Sequence, residues 1–257
     1  MGTGEPVRSE EKNGVVIVTL NTADGMNILD TEMLGRLSDI LLVVESDGEA
    51  RVVIITGEKN FSAGADIKKM KDMTPGEAAA FSKLGHRVCN QIEDMGKAVI
   101  AAINGYALGG GCEIALACDI RIAAGNAKLG QPEINLGIVP GFGGTQRLSR
   151  LVGVAMAKEL ILTGKVIDSE EAGSIRLVNH VVREDELMKR AEEIATLIAR
   201  KSPIVVRAAK KLINESHNIQ KGLEQEIVSF SECFAAQDRI EGMNAFLEKR
   251  KPKFEGI

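Results

Sequence analysis

The chain has 257 residues, 44% of them hydrophobic, enough to bury a sizeable core and too apolar for extended disorder. Its 32 basic and 36 acidic residues leave a net charge of -4, which speaks against nucleic acid as the main partner but leaves room for a local basic patch toward a phosphorylated ligand. Cys89, Cys112, Cys118 and Cys233 form no CxxC pair, and His86, His180 and His217 stand far apart, so neither a disulfide framework nor a bound metal is expected.

The start, Met1-Gly2-Thr3-Gly4-Glu5-Pro6, carries neither a secretory nor a mitochondrial targeting pattern, and no apolar run approaches the roughly 20 residues of a membrane helix. A cytoplasmic protein is expected, with no membrane partner. Val15–Leu20 is a β-branched apolar run and reads as a buried strand. Asp30 can cap a helix whose Met33, Leu34, Leu37, Leu41 and Val44 recur at helical spacing. A second buried strand is expected at 52–56, then a loop at 58–66, then a helix opened by Pro75 and running to about residue 95. Ala98–Ile103 reads as a third strand. It ends in a glycine-rich turn that feeds a short apolar helix over 112–118, and a fourth strand follows at 119–123. From residue 184 the pattern changes to long charged amphipathic segments at 184–199, 203–215, 223–235 and 239–249. The expectation is an α/β core over residues 1–195 and a helical part over 196–257.

The turn at 104–113 (NGYALGGGCE) is the most informative stretch. Three consecutive glycines are costly in chain entropy, but they let backbone approach a ligand closely. N–H groups at the head of the next helix lack intrahelical partners and lie at the positive end of its dipole, which suits a developing oxyanion. Tight helix–strand packing without a ligand is the plain alternative. Glu113 lies one helical turn after Gly110 among Cys112, Ile114, Ala115 and Leu116, an apolar setting that should raise its pKa. The alternative there is a solvent-facing side chain. A second loop of small residues, Phe61 to Asp66, would again admit a substrate to backbone N–H groups. Glu133 follows a proline in an almost uncharged stretch. It is either functional or paired with Arg147 or Arg150.

The blocks FSAGADI, NGYALGGGCEIALACDIRIA, KLGQPEINLGIVPGFGGTQRLSRLVG and FLEKRKPKF resemble the enoyl-CoA hydratase/isomerase (crotonase) family, most of all its bacterial short-chain enoyl-CoA hydratases. The likeness runs from about Val15 to Phe254. It implies a crotonase-like spiral of ββα units with a C-terminal helical trimerisation region, assembled as a trimer or as a hexamer of paired trimers. It also implies an acyl-CoA thioester substrate, coenzyme A being part of that substrate, no separate cofactor, and a place in fatty-acid β-oxidation. By motif, the thioester oxygen would sit between the N–H groups of Ala63 and Gly110, with Gly64, Ala65, Asp66 and Ile67 lining the substrate. Glu113 and Glu133 would be the catalytic pair, and Gly141 would help hold the attacking water. Phe246 and Lys249 would meet the nucleotide end of coenzyme A across a subunit boundary. The 68–84 segment would line the acyl pocket.

Two close carboxylates do not both ionise comfortably, so one should keep a proton. We assign Glu133 as acid and Glu113 as water activator. The rivals are other reactions of the same family: double-bond isomerisation, decarboxylation, thioester hydrolysis, or hydration of dienoyl or cyclic substrates. A non-catalytic binding role is a rival of another class. Both glutamates are present, which favours hydration over isomerisation, and the intact glycine turn counts against a degenerate scaffold.

Overall fold

The β-branched runs become the centre of a six-stranded sheet in the order β1 (Val7–Lys12), β2 (Val15–Leu20), β3 (Val52–Gly57), β4 (Ala98–Ile103), β6 (Ile120–Ala124) and β9 (His180–Val182). The structure, a computed structural model, describes residues 5–216 and 219–257. The first four residues, read above for targeting, and His217 lie outside the described residues. β1 and β2 are antiparallel, and every later pairing in the sheet is parallel, with Val15 opposite Val52 and Val52 opposite Ala98.

Successive strand residues face opposite ways. Val53, Ile55, Val99, Ala101 and Ile103 pack in one cluster with Leu34, Leu37 and Leu41 of α1 (Thr31–Ser46) and with Val88 and Ile92 of α3 (Pro75–Asp94). Val52, Ile54, Ala98, Ile100 and Ala102 pack with Leu187, Ala191 and Ala195 of α8 (Leu187–Ala199). Burial on both faces explains why these strands read as unbroken apolar runs. The helix starts follow the sequence signals. The Asp30 side chain accepts from the Met33 N–H, and Thr74 and Glu77 form a capping box ahead of Pro75.

A second sheet orders β5 (Tyr106–Leu108), β7 (Lys128–Gly130) and β8 (Val166–Asp168) beside the glycine turn. Its three-residue strands are too short for any periodicity to reveal. Nor does the sequence pattern mark β1, an edge strand with only Val7 buried. The expected strand at 119–123 starts one residue later. Asp119 instead accepts the Val99 N–H at 2.7 Å and pairs with Lys210 Nζ at 2.8 Å.

Four shorter helices complete the fold: α2 (Ile67–Met70), α5 (Gly144–Val152), α6 (Val154–Thr163) and α7 (Ser169–Ser174), of which α5, α6 and α7 add Leu148, Ala157, Leu160 and Ala172 to the first cluster. α4 (Gly110–Ala117) is entirely buried. The boundary expected at 195 falls inside α8, which packs on the sheet along its length. Beyond it, α9 (Pro203–Asn214) is tied to the core: Lys210 Nζ donates to the Ile92 and Lys97 carbonyls, both at 3.0 Å, and Asn214 donates to the Glu93 carbonyl at 2.8 Å. α10 (Ile219–Cys233) buries no residue, and α11 (Gln237–Leu247) buries only Asp238 and Ala245. Among the described residues no helix is long and apolar enough to cross a membrane.

Candidate active site

Two loops are stitched together by backbone pairing. The Ser62 N–H donates to the Tyr106 carbonyl at 2.8 Å, and the Leu108 N–H returns to the Ser62 carbonyl at 3.0 Å. This lays the 61–66 loop along β5 and brings it to the head of α4. The approach is close enough to require glycine. Gly64 has φ 95°, and a Cβ there would stand 2.7 Å from the Leu108 carbonyl oxygen and 3.6 Å from the Gly110 nitrogen. The Ser62 side chain is fully buried. Its hydroxyl donates to the Asn27 carbonyl at 2.7 Å and accepts from the Gly64 N–H at 3.1 Å, so the loop is held from inside.

The pairing decides which N–H groups are free. Ala63 donates to the Met26 carbonyl at 2.9 Å, so the expected donor has no hydrogen to offer a ligand. Next along, the bridge between Leu29 and Ala65 uses the Gly64 carbonyl and the Asp66 N–H, and the Ala65 N–H points the other way. Among the described residues the N–H groups of Ala65 and Gly110 carry no hydrogen bond. The glycine-rich turn therefore leaves the N–H of Gly110 free as expected, and the 61–66 loop leaves free that of Ala65, two residues on from Ala63. Asp66 is spent on structure, capping α2 through the Lys68 and Lys69 N–H groups, and Ile67 is exposed.

Two carboxyl groups lie against this turn. Glu113 is 1% exposed. Its Oε1 accepts from the Phe142 N–H at 2.8 Å and the Gly144 N–H at 2.7 Å. Burial pushes its pKa above the ordinary glutamate value, against the pull of those two N–H groups and of the Arg147 charge. Glu133, in the helical turn Pro132–Leu136, is 8% exposed. Gly109, at the N-cap of α4 with φ 51°, has no Cβ because one would stand 2.9 Å from Glu133 Oε1. With its amide nitrogen turned to the carboxyl, Gln131 reaches both Glu133 oxygens at 3.1 and 3.2 Å. Burial and the nearby Glu113 charge push Glu133 up to about 7, against a smaller downward pull from its own N–H. The alternative partners for Glu133 are not available: Arg147 (2.6 Å) and Arg150 (3.2 Å) both pair with Glu93.

Gly141 lies beside Glu113, half-buried, its carbonyl accepting from Ser82 Oγ at 2.6 Å. Phe142 meets Phe81 of the 68–84 segment edge-on, with ring centroids 5.4 Å apart. A cavity of about 510 Å³ is lined there by Met73, Ala80, Phe81 and Leu84 together with Thr31, Lys69, Asp72 and Glu77. A larger cavity, about 680 Å³, lies between the end of α4 and α9, and neither Glu113 nor Glu133 lines it. Free backbone donors near buried carboxyls mark a reactive site better than volume does. Phe246 and Lys249 are exposed at the end of α11. Among the described residues no hydrogen bond joins that helix to the 61–66 or 130–144 loops. No group of three or more His, Cys, Asp or Glu among the described residues is placed to hold a metal ion.

The sequence reading missed Gln131, Phe142, Gly144 and Arg147. The only signal for them was the run of glycines and lone polar groups at 130–147, which does not tell which backbone N–H turns inward.

A family model described as enoyl-CoA hydratase/isomerase matches residues 10–257. A short-chain-enoyl-CoA hydratase of Clostridium acetobutylicum is 49% identical over 94% of both chains. A crotonyl-CoA hydratase of Syntrophomonas wolfei is 47% identical over 97% of this chain and 98% of that one. The crystal structure of an enoyl-CoA hydratase from Bacillus anthracis matches with a TM-score of 0.95 and 41% identity, covering 98% of this chain and 100% of that one. Sequence blocks, sheet order and the glycine turn agree with these matches, and the chain belongs to the enoyl-CoA hydratase/isomerase family.

Proposed function

We propose that this protein adds water reversibly across the 2,3 double bond of a short-chain enoyl-CoA to give the 3-hydroxyacyl-CoA. The carrying observation is the pair of unengaged N–H groups, Ala65 and Gly110, set beside two buried carboxyls of different character. The thioester oxygen sits between those two donors. Glu113, held toward its ionised form by the Phe142 and Gly144 N–H groups, takes a proton from water as the oxygen bonds to C3. The displaced electron pair moves to the thioester oxygen as an enolate, where each donor contributes about 3–4 kcal/mol. Glu133, raised to about 7, holds the proton that C2 then receives. Gly141 helps steady the water. Coenzyme A enters as part of the substrate, and the reaction draws on no separate cofactor.

The acyl end fits the cavity bounded by Met73, Phe81 and Leu84. The exposed apolar side chains of α10 and α11 fit a homotrimer or a pair of trimers, in which Phe246 and Lys249 of one copy reach the nucleotide bound by the next. On this reading the ββα core with its site ends near residue 195 and the assembly region follows it. Free cysteines and the lack of a spanning helix among the described residues fit a cytoplasmic enzyme.

The test follows the absorbance of the conjugated thioester across C4 to C16 enoyl-CoAs. Crotonyl-CoA should have the highest kcat/KM. Glu113→Gln and Glu133→Gln should each lower kcat at least about 10²-fold with little change in KM. Folded variants with near-wild-type hydration would overturn the reading. A harmless Glu133→Gln beside a dead Glu113→Gln would make the protein an isomerase of the same family.

A further inference from the structure

The Glu113 carboxylate is held by backbone N–H groups of a glycine-rich segment that has little stiffness of its own. Besides Ser82 Oγ on the Gly141 carbonyl, what stiffens that segment is Arg147 of α5, 6% exposed. Its Nη1 donates to the Phe142 carbonyl at 3.0 Å, its Nη2 to Asn90 Oδ1 at 2.7 Å, and its Nε to Glu93 Oε2 at 2.8 Å. The peptide unit that Arg147 grips thus follows the Phe142 N–H that Glu113 accepts from, and the Gly144 N–H lies one residue further on.

We infer that Arg147 is a positioning residue for the hydration: its guanidinium fixes the 141–144 segment so that the Phe142 and Gly144 N–H groups meet Glu113, and it sets a fixed positive charge beside that carboxylate. Only the guanidinium fork serves all three acceptors at once. The charge works against burial, which by itself drives Glu113 toward its neutral form, useless as a base. The other titratable groups packed about Glu113 are Glu133, Cys89 of α3 and Cys112 of its own helix. About Arg147 they are Glu93 and Cys89 of α3, His86 near Gly143, and Arg150 through Glu93. Burial keeps both thiols neutral, so neither competes for the proton near neutral pH.

The inference rests on Glu113 acting as base in the proposed hydration. Rates with crotonyl-CoA are measured from pH 5 to 9 for the wild-type protein, Glu113→Gln, Arg147→Gln and Arg147→Lys, each checked by circular dichroism. Removing the charge raises the pKa of Glu113 further, so the acid limb of kcat/KM should move to higher pH by about one unit in Arg147→Gln. Its kcat should fall about 10- to 100-fold and its KM should change less than about threefold. Arg147→Lys should return the acid limb toward its wild-type position while kcat stays at least about tenfold low, because one ammonium cannot hold Phe142 and Glu93 together. A folded Arg147→Gln with an unmoved acid limb would make Arg147 a packing residue and overturn the inference. If Arg147→Gln does not fold, full activity in Arg147→Lys would overturn it equally. An inactive wild-type protein, or an active Glu113→Gln, would instead break the hydratase reading itself.

Discussion

The loops around the glutamates and the helices after residue 218 make opposite use of the chain. Around the glutamates almost every polar group is paired within the chain: Ser62 with Asn27, Glu113 with Phe142 and Gly144, Arg147 with Glu93 and Asn90. Among the described residues the N–H groups of Ala65 and Gly110 carry no hydrogen bond, and they stand out against that background. In α10 and α11 the unpaired groups are large and apolar, with Ile219 76%, Ile227 72%, Phe230 67% and Phe246 83% exposed. The first region closes most of its hydrogen bonds within one copy. The second exposes an apolar face whose burial needs another surface.

The sharpest way to break this comparison is to remove a single hydrogen from the first region. Replacing the amide of Ala65 by an ester, by incorporating lactic acid there, deletes its N–H and leaves the chain shape alone. Since that N–H makes no hydrogen bond among the described residues, stability should hold while kcat/KM for crotonyl-CoA falls about 10²- to 10³-fold. The same change at Ala63 removes a bond to the Met26 carbonyl. It should lower unfolding free energy by about 1 kcal/mol and leave kcat nearly intact. The reverse outcome would return the donor role to Ala63.

The Ala63–Ala65 difference also marks how far letters reach. The glycines, the two glutamates and the buried strands are legible because each is an unusual residue choice: three glycines where entropy forbids them, charges among apolar neighbours, β-branched runs without alternation. Direction along an extended loop is not legible, because the N–H groups of Ala63 and Ala65 differ only in which carbonyl each one meets. The same holds for Arg147 and Glu93, 54 residues apart, which meet only once α3 and α5 pack. Strands of three residues such as β5 and β7 exist because the first sheet positions them, and their own composition carries no signal.

A smaller effect should appear in stability. Glu133 is raised from an ordinary 4.5 to about 7 by burial. Below pH 4.5 it is neutral whether the chain is folded or not, and it does not oppose folding. Between 4.5 and 7 the unfolded chain ionises and the folded one does not, so stability falls as pH rises, and above 7 the loss is complete. Glu133→Gln should therefore match wild type near pH 4 and exceed it near pH 8 by about 1–3 kcal/mol in urea unfolding at fixed protein concentration. A difference that does not change with pH would mean the carboxyl is hydrated in the fold.

The smallest expected effect probes the C-terminal helices. A charge in the apolar face of α10, as in Ile227→Asp with Phe230→Asp, should shift the protein from a trimer or hexamer to a monomer in light scattering. If Lys249 serves the neighbouring copy, that monomer and Lys249→Ala should share one defect. KM for crotonyl-CoA should rise, about fivefold for Lys249→Ala, which corresponds to about 1 kcal/mol for one exposed cation against a phosphate. Turnover at saturation should be kept, because a remote contact binds ground state and transition state alike and the glutamates belong to one chain. The 3′-dephospho thioester separates this role from general damage. Lys249→Ala should leave its KM unchanged, and an equal rise for both thioesters would remove the phosphate contact. A wild-type protein that is a stable monomer with full activity would end the contrast between the two regions, for the apolar face of α10 would then have no part in the reaction.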